Sequence, residues 1–142
     1  MHLVQLKRIR VSAQLPFRAT KGSAYYDLYA AAAEDIEHVD TKLITTGWGI
    51  EVPPGTFLDI RSRSGMSGTG IFVANSPGTV DEDFRGELYV ILINLSGSCY
   101  HVSVGDRIAQ CALMPVIPTN FQEVKELSVT ARGTGGYGSS GR

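Results

Sequence analysis

Three segments of the sequence carry residue types that suit a phosphate. Arg61-Ser62-Arg63-Ser64-Gly65-Met66-Ser67 sets guanidinium groups, hydroxyls and a glycine on a strand end that opens a turn. Backbone N–H groups at such a turn point outward together and hold an anion. Gly105-Asp106-Arg107-Ile108-Ala109-Gln110 starts a strand from a tight turn, with Arg107 and Gln110 available to bond. The third segment is Arg132-Gly133-Thr134-Gly135-Gly136-Tyr137-Gly138-Ser139-Ser140. Its consecutive glycines let N–H groups converge on one anion. Arg132 adds a planar fork of donors, Tyr137 a ring on which a base can stack, and the serines two hydroxyls. The plain alternative for this segment is a Gly/Ser tail without function. Its glycine spacing matches the dinucleotide-binding pattern, but no helix follows and no acid stands ~20 positions on. A Walker-type loop is excluded, because Gly-Lys-Ser/Thr does not occur.

A fourth segment supplies groups that could act on water. Asp81-Glu82-Asp83-Phe84-Arg85-Gly86 packs three carboxylates, an aromatic ring and an arginine into one loop. Such a cluster suits a divalent cation, a base for water, or simply a solvated turn. His2, His38 and His101 are scattered, and Cys99 and Cys111 lack partners at zinc or redox spacing. The two thiols read as reduced and mostly buried. With no Ser/His or Cys/His nucleophile, the combination points to hydrolysis of a nucleotide phosphate by a positioned water.

The elements that must carry these groups read as short strands. The chain has 142 residues, 16 of them glycine and 6 proline. One domain is expected, able to bury roughly 70% of its unfolded surface without disulfides or metal. Runs at Leu3–Val11, Leu43–Val52, Phe57–Arg61, Gly70–Ala74, Glu87–Leu95, Cys99–Val104 and Arg107–Val116 are apolar, β-branched or alternating, and turn residues bound them. Many short strands indicate an all-β sandwich or barrel. Ala30–Val39 is alanine-rich and has helical propensity, but it lacks an amphipathic stripe. Residues 132–142 hold five glycines and no aliphatic side chain, as a flexible arm would. In Glu87–Leu95 both faces are apolar for most of the length, which favours a subunit interface over cover from the same chain.

Composition excludes other classes. With 13 basic and 14 acidic residues the net charge is -1, so bulk electrostatics does not hold the chain on nucleic acid. No apolar run approaches the ~20 residues of a membrane helix. Met1–Lys7 has no signal-peptide character, so an intracellular, cytoplasmic home is expected. Asn94-Leu95-Ser96 matches a glycosylation sequon only by chance.

Across five segments in order, the chain resembles the trimeric deoxyuridine triphosphate nucleotidohydrolases, the dUTPases. The first is Ala24-Tyr25-Tyr26-Asp27-Leu28-Tyr29-Ala30-Ala31, and the second is Arg63-Ser64-Gly65-Met66-Ser67. The third runs Asn75-Ser76-Pro77-Gly78-Thr79-Val80-Asp81-Glu82-Asp83-Phe84-Arg85-Gly86-Glu87. Gly105–Gln110 and Arg132–Gly141 are the fourth and fifth. The resemblance implies a dUTPase-like jelly roll, or β-clip, over residues 1–131. It implies a homotrimer with shared sites, in which the arm, 132–142, closes over a neighbouring subunit's nucleotide. The implied reaction converts dUTP and water to dUMP and pyrophosphate, with Mg2+ on the triphosphate. That reaction keeps uracil out of DNA and supplies dUMP for thymidylate synthesis.

Carried over by position, Asp81 would activate the attacking water and contact the sugar 3′-hydroxyl. Asp27 would hold the metal's water shell. Arg63, Ser64, Gly65 and Gln110 would grip the phosphates. Asn75, Gly78, Thr79, Val80 and the backbone at Tyr89 would form the hairpin that reads uracil. Phe84 would pack under the deoxyribose. Arg132, Gly136, Tyr137, Gly138 and Ser139 would close the lid. The family commonly has tyrosine at Phe84, phenylalanine at Tyr137 and glycine at Tyr25. The alternatives on the same fold are a dCTP deaminase and a binding or regulatory module.

Overall fold

The computed structural model describes residues 2–136. The described chain forms ten strands and one short helix. The strands are β1 (Gln5–Arg8), β2 (Tyr26–Tyr29), β3 (Glu34–Ile36), β4 (Thr41–Glu51), β5 (Thr56–Arg61), β6 (Ile71–Val73), β7 (Gly78–Val80), β8 (Glu87–Asn94), β9 (Tyr100–Val102) and β10 (Arg107–Pro115), and helix α1 is Ser64–Ser67. One sheet runs β1-β4-β8-β6 and the other β2-β10-β5-β7, while β3 and β9 form a two-stranded ribbon. All pairings are antiparallel. The jelly-roll expectation therefore holds. No helix among the described residues is long and apolar enough to cross a membrane.

The core lies between the two four-stranded sheets. Ile44, Ile50, Ile71, Leu88, Val90 and Leu92 face it from the first sheet, and Leu28, Leu58, Ile60, Val80, Ile108 and Cys111 from the second. Side chains alternate across each strand, so the same strands put polar residues on their outer faces. Residues 116–136 form no strand or helix.

The alanine-rich segment becomes a buried turn and a strand. Ala30 and Ala31 are buried, Ala31 N–H donates to the Thr45 carbonyl at 2.8 Å, and Glu34–Ile36 pairs with β9. Small side chains are needed there, and pairing with β9 overrides helical propensity. Leu3–Val11 shortens to Gln5–Arg8, because the ladder with β4 ends at Gly47, whose carbonyl accepts both the Ile9 and the Arg10 N–H.

The buried face of β8 carries Leu88, Val90, Leu92 and Asn94. Asn94 fits an apolar face because its amide is saturated. Its Nδ2 donates to the carbonyls of Ile36 and Ser98, each at 2.7 Å, and its Oδ1 accepts from the N–H and hydroxyl of Ser96. Such a side chain has no room for a glycan. On the outer face, Ile91 lies opposite Leu43 and Ile93 opposite Phe72, and Leu43 is 62% exposed. No described segment covers Leu43.

The cysteine expectation needs one correction. Cys111 is buried, and burial, aided by Asp27, pushes its thiol up to about 12. Cys99, just before β9, is exposed, because the ribbon lies at the margin of the sandwich.

Gly47 breaks the ladder between β4 and β8, whose register shifts between Thr45 and Gly49. Its φ is +73°, and a Cβ there would stand 2.8 Å from Ala13 Cβ and 2.9 Å from Ala31 Cβ. Only glycine suits such a bulge. Gly47→Ala should cost about 1–3 kcal/mol of stability, the usual range for a strained backbone position. Thermal unfolding checks this, and an unchanged Tm would contradict it.

Candidate active site

The second sheet builds an anion cleft on its outer face. β10 lies between β2 and β5, with Gln110 opposite Asp27 on one side and Arg61 on the other. Directly opposed residues share a face, so the three side chains stand abreast. β5 ends at Arg61, and the chain turns through Ser62 and Arg63 into α1. Ser64 and Gly65 occupy the first turn of α1, where N–H groups have no helical partner. Gln110 Nε2 donates to the Ser62 carbonyl at 2.9 Å and ties this turn to β10.

Asp27 is the negative pole of the cleft. Arg63 Nε donates to its Oδ1 at 2.8 Å, and Arg107 Nη1 stands 3.5 Å from its Oδ2. Two cations on one carboxylate leave one positive charge over. Each guanidinium keeps donors to spare, because it has five N–H groups. Tyr25, Ser64, Gly65 and Gln110 also line it, with Ala19, Ser23 and Ala24 at its margin, around a volume of about 360 Å³. Such a cleft can hold phosphate oxygens by charge-assisted bonds.

A second cleft opens beside the β7–β8 hairpin. Thr79, Val80, Asp81, Phe84, Glu87, Leu88 and Tyr89 line about 260 Å³. The Asp81 carboxylate is exposed and makes no hydrogen bond or ion pair among the described residues. The Phe84 ring folds back over Gly86, where a Cβ would meet Phe84 Cζ at 2.6 Å. The Gly78 position is similarly tight, 3.2 Å from Asn75 Nδ2. Glycines therefore set the shape of this hairpin at both ends.

Glu87 anchors the hairpin's return strand. Thr45 donates its hydroxyl to Oε1, Arg10 Nε donates to Oε1 at 3.2 Å, and Tyr89 donates its hydroxyl to Oε2 at 2.9 Å. The Thr45 hydroxyl first, then Tyr89 and Arg10, hold the carboxyl below its ordinary range against the cost of burial. Sequence reasoning did not single out Glu87, since its partners lie 42 and 77 positions away.

The sequence-derived residues thus fall into separate groups. Asp27, Arg63, Ser64, Gly65 and Gln110 meet in the first cleft, joined by Arg107. Thr79, Val80, Asp81, Phe84 and Tyr89 meet in the second. The two linings share no residue. Arg132 bonds its own loop through Gly135 O at 2.9 Å, and neither it nor Gly136 lines either cleft. Tyr137, Gly138 and Ser139 lie outside the described residues.

A jelly roll with an arginine-lined anion cleft, and a hairpin cleft holding an unpaired carboxylate, has the parts of a protein that handles phosphorylated ligands. The family model described as dUTPase matches residues 11–141. The deoxyuridine 5'-triphosphate nucleotidohydrolase of Hydrogenobaculum sp. is 44% identical over 140 residues, covering 96% of each chain. That of Clostridium kluyveri is 43% identical over 137 residues, with the same coverage. The dUTPase of Staphylococcus bacteriophage 80alpha, solved with dUPNHPP, superposes with a TM-score of 0.88 at 25% identity, covering 99% of each chain. The chain belongs to the dUTPase family. It is a hydrolase of nucleotide metabolism.

The Glu87 network makes a pH-dependent prediction. A carboxyl held below its ordinary 4.5 stabilises the fold above that value, and the contribution disappears as pH falls through the lowered value. Glu87→Gln should therefore lower stability near neutral pH and flatten the acid limb of the stability curve. Unfolding from neutral pH into the acid range checks this; parallel curves for variant and wild type would contradict it.

Proposed function

We propose that the chain hydrolyses dUTP to dUMP and pyrophosphate in sites shared between copies of a homotrimer. The observation that carries this is the division of the site. One chain presents a phosphate cleft and, elsewhere, a nucleoside hairpin with a free carboxylate. Each cleft lies near or below the lower end of the ~300–1,000 Å³ range for ligand pockets. One nucleotide therefore needs the first cleft of one copy and the second of another. The outer face of β8, with Ile91 and Ile93 beside Leu43, offers apolar surface for such contacts. The structure of the 80alpha phage enzyme with dUPNHPP supports the ligand class.

The residues divide the work as follows. Arg63, Ser64, Gly65, Arg107 and Gln110 receive the phosphate oxygens. Asn75, Gly78, Thr79, Val80 and the backbone at Tyr89 read uracil. A narrow hairpin rejects the thymine methyl by clash, and backbone donors and acceptors mismatch cytosine. Phe84 packs under the deoxyribose. Asp81 takes a proton from water as that water attacks the α-phosphorus. The bond from the α-phosphorus to its bridging oxygen breaks, and pyrophosphate leaves. Residues 132–142, through Arg132, Gly136, Tyr137, Gly138 and Ser139, close over a neighbour's nucleotide.

Magnesium would arrive on the triphosphate. Among the described residues no group of three carboxylate, imidazole or thiolate side chains is placed to hold a metal. Asp27 has both oxygens directed at arginines, so it suits a contact to the ion's water shell. The ion supplies charge neutralisation for the triphosphate. A reducing, cytoplasmic setting suits the exposed thiol of Cys99.

The test is pyrophosphate release from dUTP, dTTP, dCTP and UTP with magnesium, for wild type and Asp81→Asn. Wild type should prefer dUTP. The variant should still bind nucleotide but lose about 10²–10⁴ in kcat, the usual worth of a general base. A variant within about threefold of wild type would contradict the role of Asp81.

A further inference from the structure

We infer that Tyr25 is a positioning residue of the phosphate cleft: its ring walls one side, and its hydroxyl, locked on Asp59, fixes where the phosphate chain rests. The inference builds on the reading of that cleft as the triphosphate site. It names a residue at which this chain departs from the family's usual glycine.

Asp59 lies on β5, directly opposite Ala112 of β10 and Thr79 of β7. It shares the outer face with Arg61 and Gln110, yet it is only 4% exposed. Two side chains cover it. Tyr25 donates its hydroxyl to Asp59 Oδ2 at 2.7 Å, and Arg61 Nε donates to the same oxygen at 2.7 Å. The Arg61 guanidinium carbon stands 5.7 Å from the centre of the Tyr25 ring, within cation–π range. The Tyr25 ring is thus held at its hydroxyl and over its face.

A buried carboxylate beside an anion site would ordinarily repel the ligand. Arg61 cancels that charge, so the lock costs the cleft little attraction for phosphate. The lock in return provides a rigid wall. Tyrosine has few rotatable bonds, and this one has its polar end satisfied. A wall that displaces water strengthens the contacts of Arg63 and Arg107 with phosphate oxygens. The Asp59 hydrogen bond also raises the phenol's pKa above its ordinary value, as expected of a donor to a carboxylate. Since the wall touches the phosphate chain before and during reaction alike, it should act on KM more than on kcat.

The test uses full-length protein and two readouts. Calorimetric titration with inorganic tripolyphosphate and magnesium measures the cleft without hydrolysis. Steady-state kinetics with dUTP measures KM and kcat. Tyr25→Gly should weaken tripolyphosphate binding and raise KM by about tenfold each, with kcat within about twofold. Tyr25→Phe keeps the ring and loses the lock, and should show about a two- to fourfold effect on the same quantities. Arg61→Gln exposes the Asp59 charge and should weaken tripolyphosphate most at low ionic strength, while the double variant Asp59→Asn/Arg61→Gln should recover part of the loss. A purely structural role would leave that salt dependence flat. The inference falls if wild type binds no tripolyphosphate. It also falls if Tyr25→Gly, or Tyr25→Phe should the glycine variant not fold, matches wild type in both affinity and KM. Wild type that binds tripolyphosphate through Tyr25 but releases no pyrophosphate from dUTP would instead overturn the substrate and leave Tyr25 in place.

Discussion

The register of β10 between β2 and β5 is the constraint on which the rest depends. It sets Asp27, Gln110 and Arg61 abreast on the outer face and directs Cys111 and Ile108 into the core. A slip of one residue would reverse this, burying an amide and exposing the core's side chains. Asp27 then takes Arg63 from the turn after β5 and Arg107 from the start of β10. One carboxylate thereby orients two guanidinium groups, and their excess charge is what an anion meets. The Asp27 and Arg63 side chains are only 14% and 22% exposed, so this pair is screened less than a surface ion pair.

The hairpin cleft is held by a different device. The bulge at Gly47 re-aims β4, so that Thr45 reaches Glu87 across the sheet. Glu87 in turn fixes Tyr89, while Phe84 packs on Gly86. Asp81 stands between these fixed points with no partner of its own among the described residues. Asp27, in contrast, has its two oxygens engaged by Arg63 and Arg107. The surroundings of the two acids differ, and the proposed division of their roles rests on that difference.

Much of this was legible in the sequence. Strands β1, β4, β5, β6, β8, β9 and β10 overlap the runs that turn residues bound. The phosphate groups announce themselves as arginines and glycines at strand ends. Strands β2, β3 and β7 sit among alanines, carboxylates and glycines, and lack the apolar run that marks the equally short β6 and β9. Glu87 and Asp59 looked like ordinary strand carboxylates, because their partners come from strands brought close only by folding. The separation of Arg63 from Asp81 was equally hidden. The two residues stand 18 positions apart, after neighbouring strands of one sheet, and only the clefts formed on folding set them in different places.

The central claim is that one nucleotide is bound by Arg63 of one copy and Asp81 of another. Mixing two inactive variants tests it directly. Arg63→Ala spoils the phosphate cleft and Asp81→Asn the hairpin cleft, so each variant alone should be nearly inactive. Unfolded together and refolded in equal amounts, they should regain about a quarter of wild-type activity, because in a closed threefold ring one site in four pairs an intact cleft with an intact hairpin. A mixture no more active than its parts, under conditions that restore wild type, would contradict the account.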